Sequence, residues 1–284
     1  MKNERRHFLL SAGAMLVAAA LPAHAAAAEL ELQQPGALRI AVYANYPPWS
    51  DKGQGIDIAL GRALAARLGL RAEFAEFPAD EDMSDDLRNM VWKGHYLGMR
   101  PGDVMLHVPV DRNFAANNDK VAIFAPYHLE TMAIARNSAR IPAIAGSAAN
   151  AFEVFTRERI GAELDTHGSD FMLHVLNGRL RDQVTHYRSI PLAAAGLKAG
   201  EVAAVIGTRT ELEVAFKDAP GVAIDSLQMP ELRVTGWPLG MAVKADHPAL
   251  AAALGDALAE LQRSGELGRI FSENGSTHRL PGGI

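Results

Sequence analysis

Two successive alternations of strand-like and helix-like periodicity constrain this chain more than anything else in it. The first begins with the apolar, β-branched run "LRIAVY" (Leu38–Tyr43). In "GIDIALGRALAARLGL", Ile56, Leu60, Leu64 and Leu68 recur every four residues and share one helix face, and Gly69 suits the position just past a helix end. "RAEFAEF" reads as a strand. "DMSDDLRNMVWKGHY" predicts a second helix with Met83, Leu87, Met90 and Val91 on one face behind an Asp82 or Ser84 cap, and "GDVMLHVPV" predicts a buried strand. The second series runs from a strand at Arg159–Leu164 through a turn "DTHGSD", a helix "DFMLHVLNG", a strand "VTHYRS" and a helix "LAAAGLKAG" to a buried strand "EVAAVIGT". The chain closes with "WPLGMAVKADHP" and a helix carrying Leu250, Leu254, Leu258 and Leu261 on one face. Parallel strands need long crossovers, and helices supply them, so each β-α-β-α-β series predicts a parallel sheet with covering helices. The halves resemble each other in element order, not in residue identity.

The N-terminus reads as an export signal over residues 1–25. Lys2, Arg5 and Arg6 precede an apolar run from Phe8 to Leu21, and Ala23-His24-Ala25 fits a small-residue cleavage site. Arg5-Arg6-His7-Phe8-Leu9 resembles a twin-arginine signal. The absence of cysteine removes both disulfides and a lipid-attachment site, so the expectation is a free, monomeric periplasmic protein held by its core alone. Taking residues 1–25 from 28 Lys+Arg and 33 Asp+Glu leaves 25 against 32, an acidic balance that disfavours nucleic acid and anionic lipid as partners. No other run is long enough to predict membrane insertion.

The first strand ends abruptly at "NYPPW". Pro47 and Pro48 lack backbone donors, so the ladder stops there and Tyr46 and Trp49 sit on a stiff turn, as core cover or as the wall of a binding cleft. The reading adopted is a cleft wall. Arg112, otherwise a solvated loop residue, has the fork geometry to hold a carboxylate. Thr166, Gly168 and Ser169 precede a helix whose free N–H groups suit an anion or an ordinary cap. Of His95, His107, His128 and His167, His107 and His167 are candidates for hydrogen bonding to a polar ligand. The histidines show no H-x-x-x-H spacing and no close acidic cluster beyond Asp111 and Asp165, so no metal and no cofactor are expected. G-x-S-x-G, H-E-x-x-H, G-x-x-x-x-G-K-[ST] and G-x-G-x-x-G are all missing, and the expectation is a binding protein, not an enzyme.

Seven segments in order resemble the family 3 extracellular solute-binding proteins: LRIAVYANYPPWSD, GIDIALGRALAARLGL, GDVMLHVPVDR, FAPYH, RIGAELDTHGSDF, PLAAAGLKAGEVAAVIGT and GMAVKADHPALAAALGDALAELQRSGELGRIF. The resemblance implies an α/β, two-lobed periplasmic-binding-protein type II fold with two crossover strands. Lobe one would comprise residues 36–134 plus 238–284, and lobe two 135–237. It further implies an inter-lobe cleft in which Tyr46, Trp49, His107, Arg112, Thr166, His167, Ser169 and Thr208 bind a small molecule for an ABC permease. Family members usually carry an ammonium-binding Asp where this chain has Thr208, which points to a small polar, anionic ligand. The segment "DLRNMVWKGHYLGMRPGDVMLHVPVD" resembles the subset encoded with periplasmic quinoprotein alcohol dehydrogenases, which implies an alternative role as an accessory protein of such a dehydrogenase.

Overall fold

The computed structural model describes residues 30, 32–229 and 231–282, so the expected signal segment lies outside the described residues. The chain runs β1 (Ala37–Tyr43), α1 (Ile56–Arg67), β2 (Arg71–Phe77), α2 (Met83–Leu87), β3 (Val104–Pro109), α3 (Arg112–Ala116) and β4 (Val121–Asn137). It continues through α4 (Ala148–Ala151), β5 (Ile160–Glu163), α5 (His167–His174), β6 (Val184–Tyr187), α6 (Ile190–Ala199), β7 (Ala204–Thr208), α7 (Arg209–Ala215), β8 (Val222–Ser226), β9 (Gly236–Lys244), α8 (Pro248–Arg263) and α9 (Glu266–Glu273). No described helix is long and apolar enough to cross a membrane.

Both expected parallel units form. β1 pairs in parallel with β2 on one side and β3 on the other, and β5 pairs in parallel with β6 and β7. Successive side chains of a strand face opposite ways. In β1, Leu38, Ile40 and Val42 therefore pack beneath Leu60, Leu64 and Leu254, while Ala41 and Tyr43 pack against Met90 and Met105. In the second half, Ile134, Ile160 and Ile206 face Phe152 and Met172, and Ala133 and Val205 face Ile190 and Leu197.

One strand serves both halves. β4 pairs antiparallel with β9 up to Thr131, then with β7 and β8 from Met132 onward. The sequence shows no clean period over this stretch, and Pro126 lies inside it. The strand tolerates that proline because its register with β9 breaks between Phe124 and His128, where Ala125 adopts φ 51°. A second break, between Met105 and Val108, interrupts the β3–β9 pairing, and His107 there has φ 66°.

Local signals explain most helix ends. Gly69, at φ 67°, follows α1 as expected. The Asp82 side chain caps α2 by accepting from the N–H groups of Ser84 and Asp85. The helix expected to continue to Tyr96 widens into a single π turn at Arg88–Trp92 and ends before Gly94, whose φ of 94° no right-handed helix accommodates. Beyond α9 the tail turns back over the shared strand. His278 Nε2 donates to the Tyr127 carbonyl (2.7 Å), and Leu129 N–H donates to the Arg279 carbonyl (2.9 Å). The same tail reaches α7 in the other half. Ser276 Oγ and Thr277 N–H both donate to Glu213 Oε2 (3.0 and 2.9 Å), and Arg279 pairs with Glu213 Oε1.

Candidate functional site

The turn after β1 is built around Trp49. Pro48 and Trp49 carbonyls accept from Ile56 N–H (3.0 Å) and Asp57 N–H (2.9 Å), so the first amides of α1 are consumed within the protein. This close approach requires glycine at 55: φ is 119°, and a Cβ would lie 2.4 Å from the Trp49 carbonyl oxygen. Trp49 itself is 0% exposed and meets His107 edge to face at 4.4 Å, with Phe271 at 6.0 Å. The expectation that Trp49 displays a face to the cleft is corrected: it is a core residue, covered by a helix more than two hundred residues downstream. Tyr46 is only half-buried, and its ring sits edge-on to His107 at 5.1 Å.

Beneath them lies a buried polar set. The Tyr127 hydroxyl donates to Asp57 Oδ1 (3.0 Å) and accepts from His107 N–H (3.0 Å), while His107 Nδ1 lies 3.3 Å from Asp57 Oδ2. Both breaks in the β9 pairing contribute here. The one at His107 turns its amide to Tyr127, and the one after Phe124 re-aims β4 before Tyr127 and His128.

The other wall carries acid. Glu130, at the changeover in β4, is 1% exposed. Its Oε1 accepts from Thr131 N–H (2.9 Å) and Thr210 N–H (3.2 Å), whereas Oε2 is buried without a partner. Glu211 accepts from the Thr208 hydroxyl (2.6 Å), and Glu163 Oε2 accepts from Ile190 N–H (2.8 Å). Burial pushes the Glu211 carboxyl up to about 8, with the negative charges of Glu163 and Glu130 adding to it. Burial also raises Glu130 and Glu163. The Tyr46 hydroxyl is pushed well up, first by burial and then by Glu211, Glu130 and Glu163 together. Tyr46 thus feels the charge of three carboxyl groups carried on β4, β5 and α7. No Lys or Arg among the described residues bonds to any of the three. Pro47, Pro48, Ile190, Pro191 and Glu211 line a recess of ≈ 170 Å³ together with Lys198, whose Nζ donates to the Ala215 carbonyl (2.9 Å).

Several expected site residues have other occupations. Arg112 begins α3 and is exposed, with no ion pair among the described residues. Thr166 caps α5: its hydroxyl donates to the Glu163 carbonyl (2.8 Å) and accepts from Ser169 N–H (3.2 Å). Ser169 is buried and bonds His186 (2.9 Å), and His167 is exposed with its ring 5.8 Å from that of Trp237. Thr208 caps α7 and holds Glu211. Asp57, Tyr127, Glu130, Glu163 and Glu211 were not anticipated. Glu211 alone had a local signal, since Thr208-x-x-Glu211 is a capping-box spacing.

His128 lies beside the cluster. It stacks on Phe271 at 4.4 Å, its Nδ1 accepts from Arg279 N–H (3.3 Å), and its Nε2 lies 3.2 Å from the Thr210 hydroxyl. Burial, helped by His278 and Arg279, lowers it to about 3. The unfolded chain takes up a proton near pH 6.5 and the folded one only near 3, so this residue's contribution is intact above 6.5 and is lost as pH falls through that window. Between pH 7 and pH 5 this residue is expected to pull the urea midpoint down, against the opposite trend of the buried carboxyls, so the midpoint of His128→Gln is expected to rise more over that interval than the parent's. An unchanged slope in the variant would contradict the assignment.

Solved structures share this architecture. An ancestral cationic amino acid solute-binding protein superposes with a TM-score of 0.63 at 20% identity, over 85% of this chain and 96% of its own. The fold is the periplasmic-binding-protein type II fold. An amino acid ABC transporter substrate-binding protein from Streptococcus pneumoniae, bound to L-arginine, shares the fold at a TM-score of 0.57 and 18% identity, over 84% and 94% of the two chains. The GluR0 ligand-binding core, in complex with L-glutamate, does so at 0.58 and 18%, over 84% and 98%. No protein-family model and no curated protein matches the sequence. β4 joins the two groups of strands, and Glu130 lies where its pairing changes from β9 to β7 and β8.

Proposed function

We propose that the chain is a periplasmic solute-binding protein that captures a small polar organic ligand between lobe one (36–134 and 238–284) and lobe two (135–237) and delivers it to an ABC-type importer. One observation carries the choice of ligand: the charges of Glu130, Glu163 and Glu211 all bear on Tyr46, and no Lys or Arg among the described residues bonds to any of the three. The ligand of this reading presents a cationic, donor-rich group to those carboxyls. It replaces the anionic ligand expected from the sequence, because Arg112, the residue meant to hold a negative end, is exposed. The neighbours named for cationic amino acids and for L-arginine are consistent with it. Thr208 does not supply the missing carboxylate, but it holds the carboxylate of Glu211 one turn later.

A ligand that binds only the folded state raises its melting temperature. L-arginine, L-lysine and diamines are expected to raise it, and dicarboxylates are not. Stabilisation by dicarboxylates alone would overturn the reading. Arg112→Ala is expected to leave ligand affinity within about twofold and stability within ~0.5 kcal/mol, as exposed substitutions away from a site do; a tenfold loss of affinity would return Arg112 to the site.

The accessory role beside a periplasmic quinoprotein dehydrogenase is the second reading. It is favoured by the tight filling of the lobe-one wall, where Trp49 and Tyr127 are both fully buried. A purified protein that no small molecule stabilises would support it.

A further inference from the structure

Seven large apolar side chains among the described residues are exposed, and three of them, Trp92, Tyr96 and Leu97, fall within six residues. Tyr96 is 83% exposed and Leu97 69%. Such a cluster is where a monomeric surface departs from scattered apolar residues.

The segment is not a loose loop. His95 is buried, its N–H donates to the Met99 carbonyl (3.0 Å), and its own carbonyl accepts from Gly98 N–H (2.9 Å). Its Nδ1 accepts from Leu97 N–H (3.2 Å), and its ring lies 4.3 Å from that of Tyr96. Behind the turn, Gln33 Nε2 and Arg39 Nε both donate to the Pro101 carbonyl (3.0 and 3.1 Å). The fold therefore spends at least six interactions holding two apolar side chains out in water. Within residues 88–100 the only charged residues are Arg88, Lys93 and Arg100, and the acidic run Asp80–Asp86 ends one residue short of that window. Arg88 is committed to Asp85, while Lys93 and Arg100 are exposed with no ion pair among the described residues. A groove of ≈ 250 Å³ beside Trp92 adds Lys120, with Asp119 as its one uncommitted acid. The whole chain is acidic, at −5, so this basic tip stands out locally.

We propose that the His95–Gly98 turn is a docking element for a partner protein, with Tyr96 and Leu97 entering an apolar pocket and Lys93 and Arg100 meeting an acidic rim. A pre-ordered tyrosine loses little entropy on docking and is a common anchor residue. Opposite rim charges speed association and make it salt-sensitive. This surface lies outside the inter-lobe seam, so the proposal stands whether or not the ligand reading does.

The test places the photocrosslinker p-benzoylphenylalanine at position 96 of the full chain, in cells of its own source, with the same group at exposed Leu192 as control. The protein captured at 96 is identified and purified, and its affinity for the unlabelled chain is measured. The expected result is a partner captured at 96 and not at 192. Tyr96→Ala/Leu97→Ser should weaken its affinity at least tenfold with an unchanged melting temperature. Lys93→Glu/Arg100→Glu and 0.3 M salt should each slow its association. Four results would overturn the proposal: no capture specific to 96; capture of a second copy of this chain; residue-dependent binding to phosphatidylglycerol vesicles in place of a protein; or an affinity indifferent to both double variants.

Discussion

Trp49→Ala is expected to lower the unfolding free energy by about 3–5 kcal/mol, the range for truncating a large aromatic in a packed core. The indole has no exposed surface and touches side chains from β3 and α9, so its removal leaves a void lined by groups from both ends of the chain. Its Nε1 is buried without an acceptor, which makes the site tolerant of the lost N–H and concentrates the cost in packing. Urea unfolding at pH 7 measures this directly. A loss below ~1 kcal/mol would mean that the ring is a wall after all. Trp49→Phe is expected to recover most of the stability, because the edge contacts to His107 and Phe271 need an aromatic ring and not an indole.

The second large effect belongs to Glu211, and here a substitution is expected to help stability and harm function together. Its carboxyl titrates near 4.5 when exposed and at about 8 in the fold. Below both values the group is protonated in either state and costs nothing. Between them the folded state holds a proton that the unfolded state has released, so stability falls as pH rises from about 4.5 to 8 and stays reduced above. At about 1.4 kcal/mol per unit, the full interval amounts to no more than ~5 kcal/mol. Glu211→Gln keeps an acceptor for the Thr208 hydroxyl and removes the titration. It should therefore raise the urea midpoint at pH 8.5 and leave it little changed at pH 4.5. A cation entering the seam favours the ionised carboxyl, so its binding should release close to one proton at pH 7. Affinity should rise up to tenfold per pH unit below 8, and Glu211→Gln should abolish that slope along with most of the affinity. A variant that is no more stable at pH 8.5 would contradict the burial of an ionisable acid. One that gains stability but binds the cation normally would leave the burial intact and remove Glu211 from the site.

The architecture was largely legible because its signals are local. The leucine spacing of α1, Gly69 after it and Asp82 ahead of α2 each act within a few residues of themselves, and each does what its chemistry dictates. The candidate site was much less legible, because its members meet only through the fold. Glu130, Glu163 and Glu211 lie on three separate elements, and nothing near any one of them announces the other two. Proline-flanked aromatics at a strand end suggested display, yet Trp49 is covered by Phe271 from the last helix, a contact that no local pattern encodes. Arg112 had suitable chemistry, but it opens the short helix α3 and is exposed. The long strand β4 carried no local signal, and only the family resemblance implied a crossover there: each half of it pairs with different strands, and a proline sits at its irregularity.

The C-terminal tail gives the seam a property that its lining does not reveal. Ser276–Arg279 is joined by sequence to α9 and by three donors to Glu213 on α7. Any rotation that parts the lobes at α7 must either stretch those bonds or peel the tail from Tyr127 and Leu129. In the two-lobe reading proposed above, the tail would act as a latch that sets what fraction of empty molecules stands shut. Apparent affinity scales with that fraction. Two chains with identical clefts would then hold the same ligand with different strength if they differed only at Glu213, a residue that no ligand in the seam has to touch.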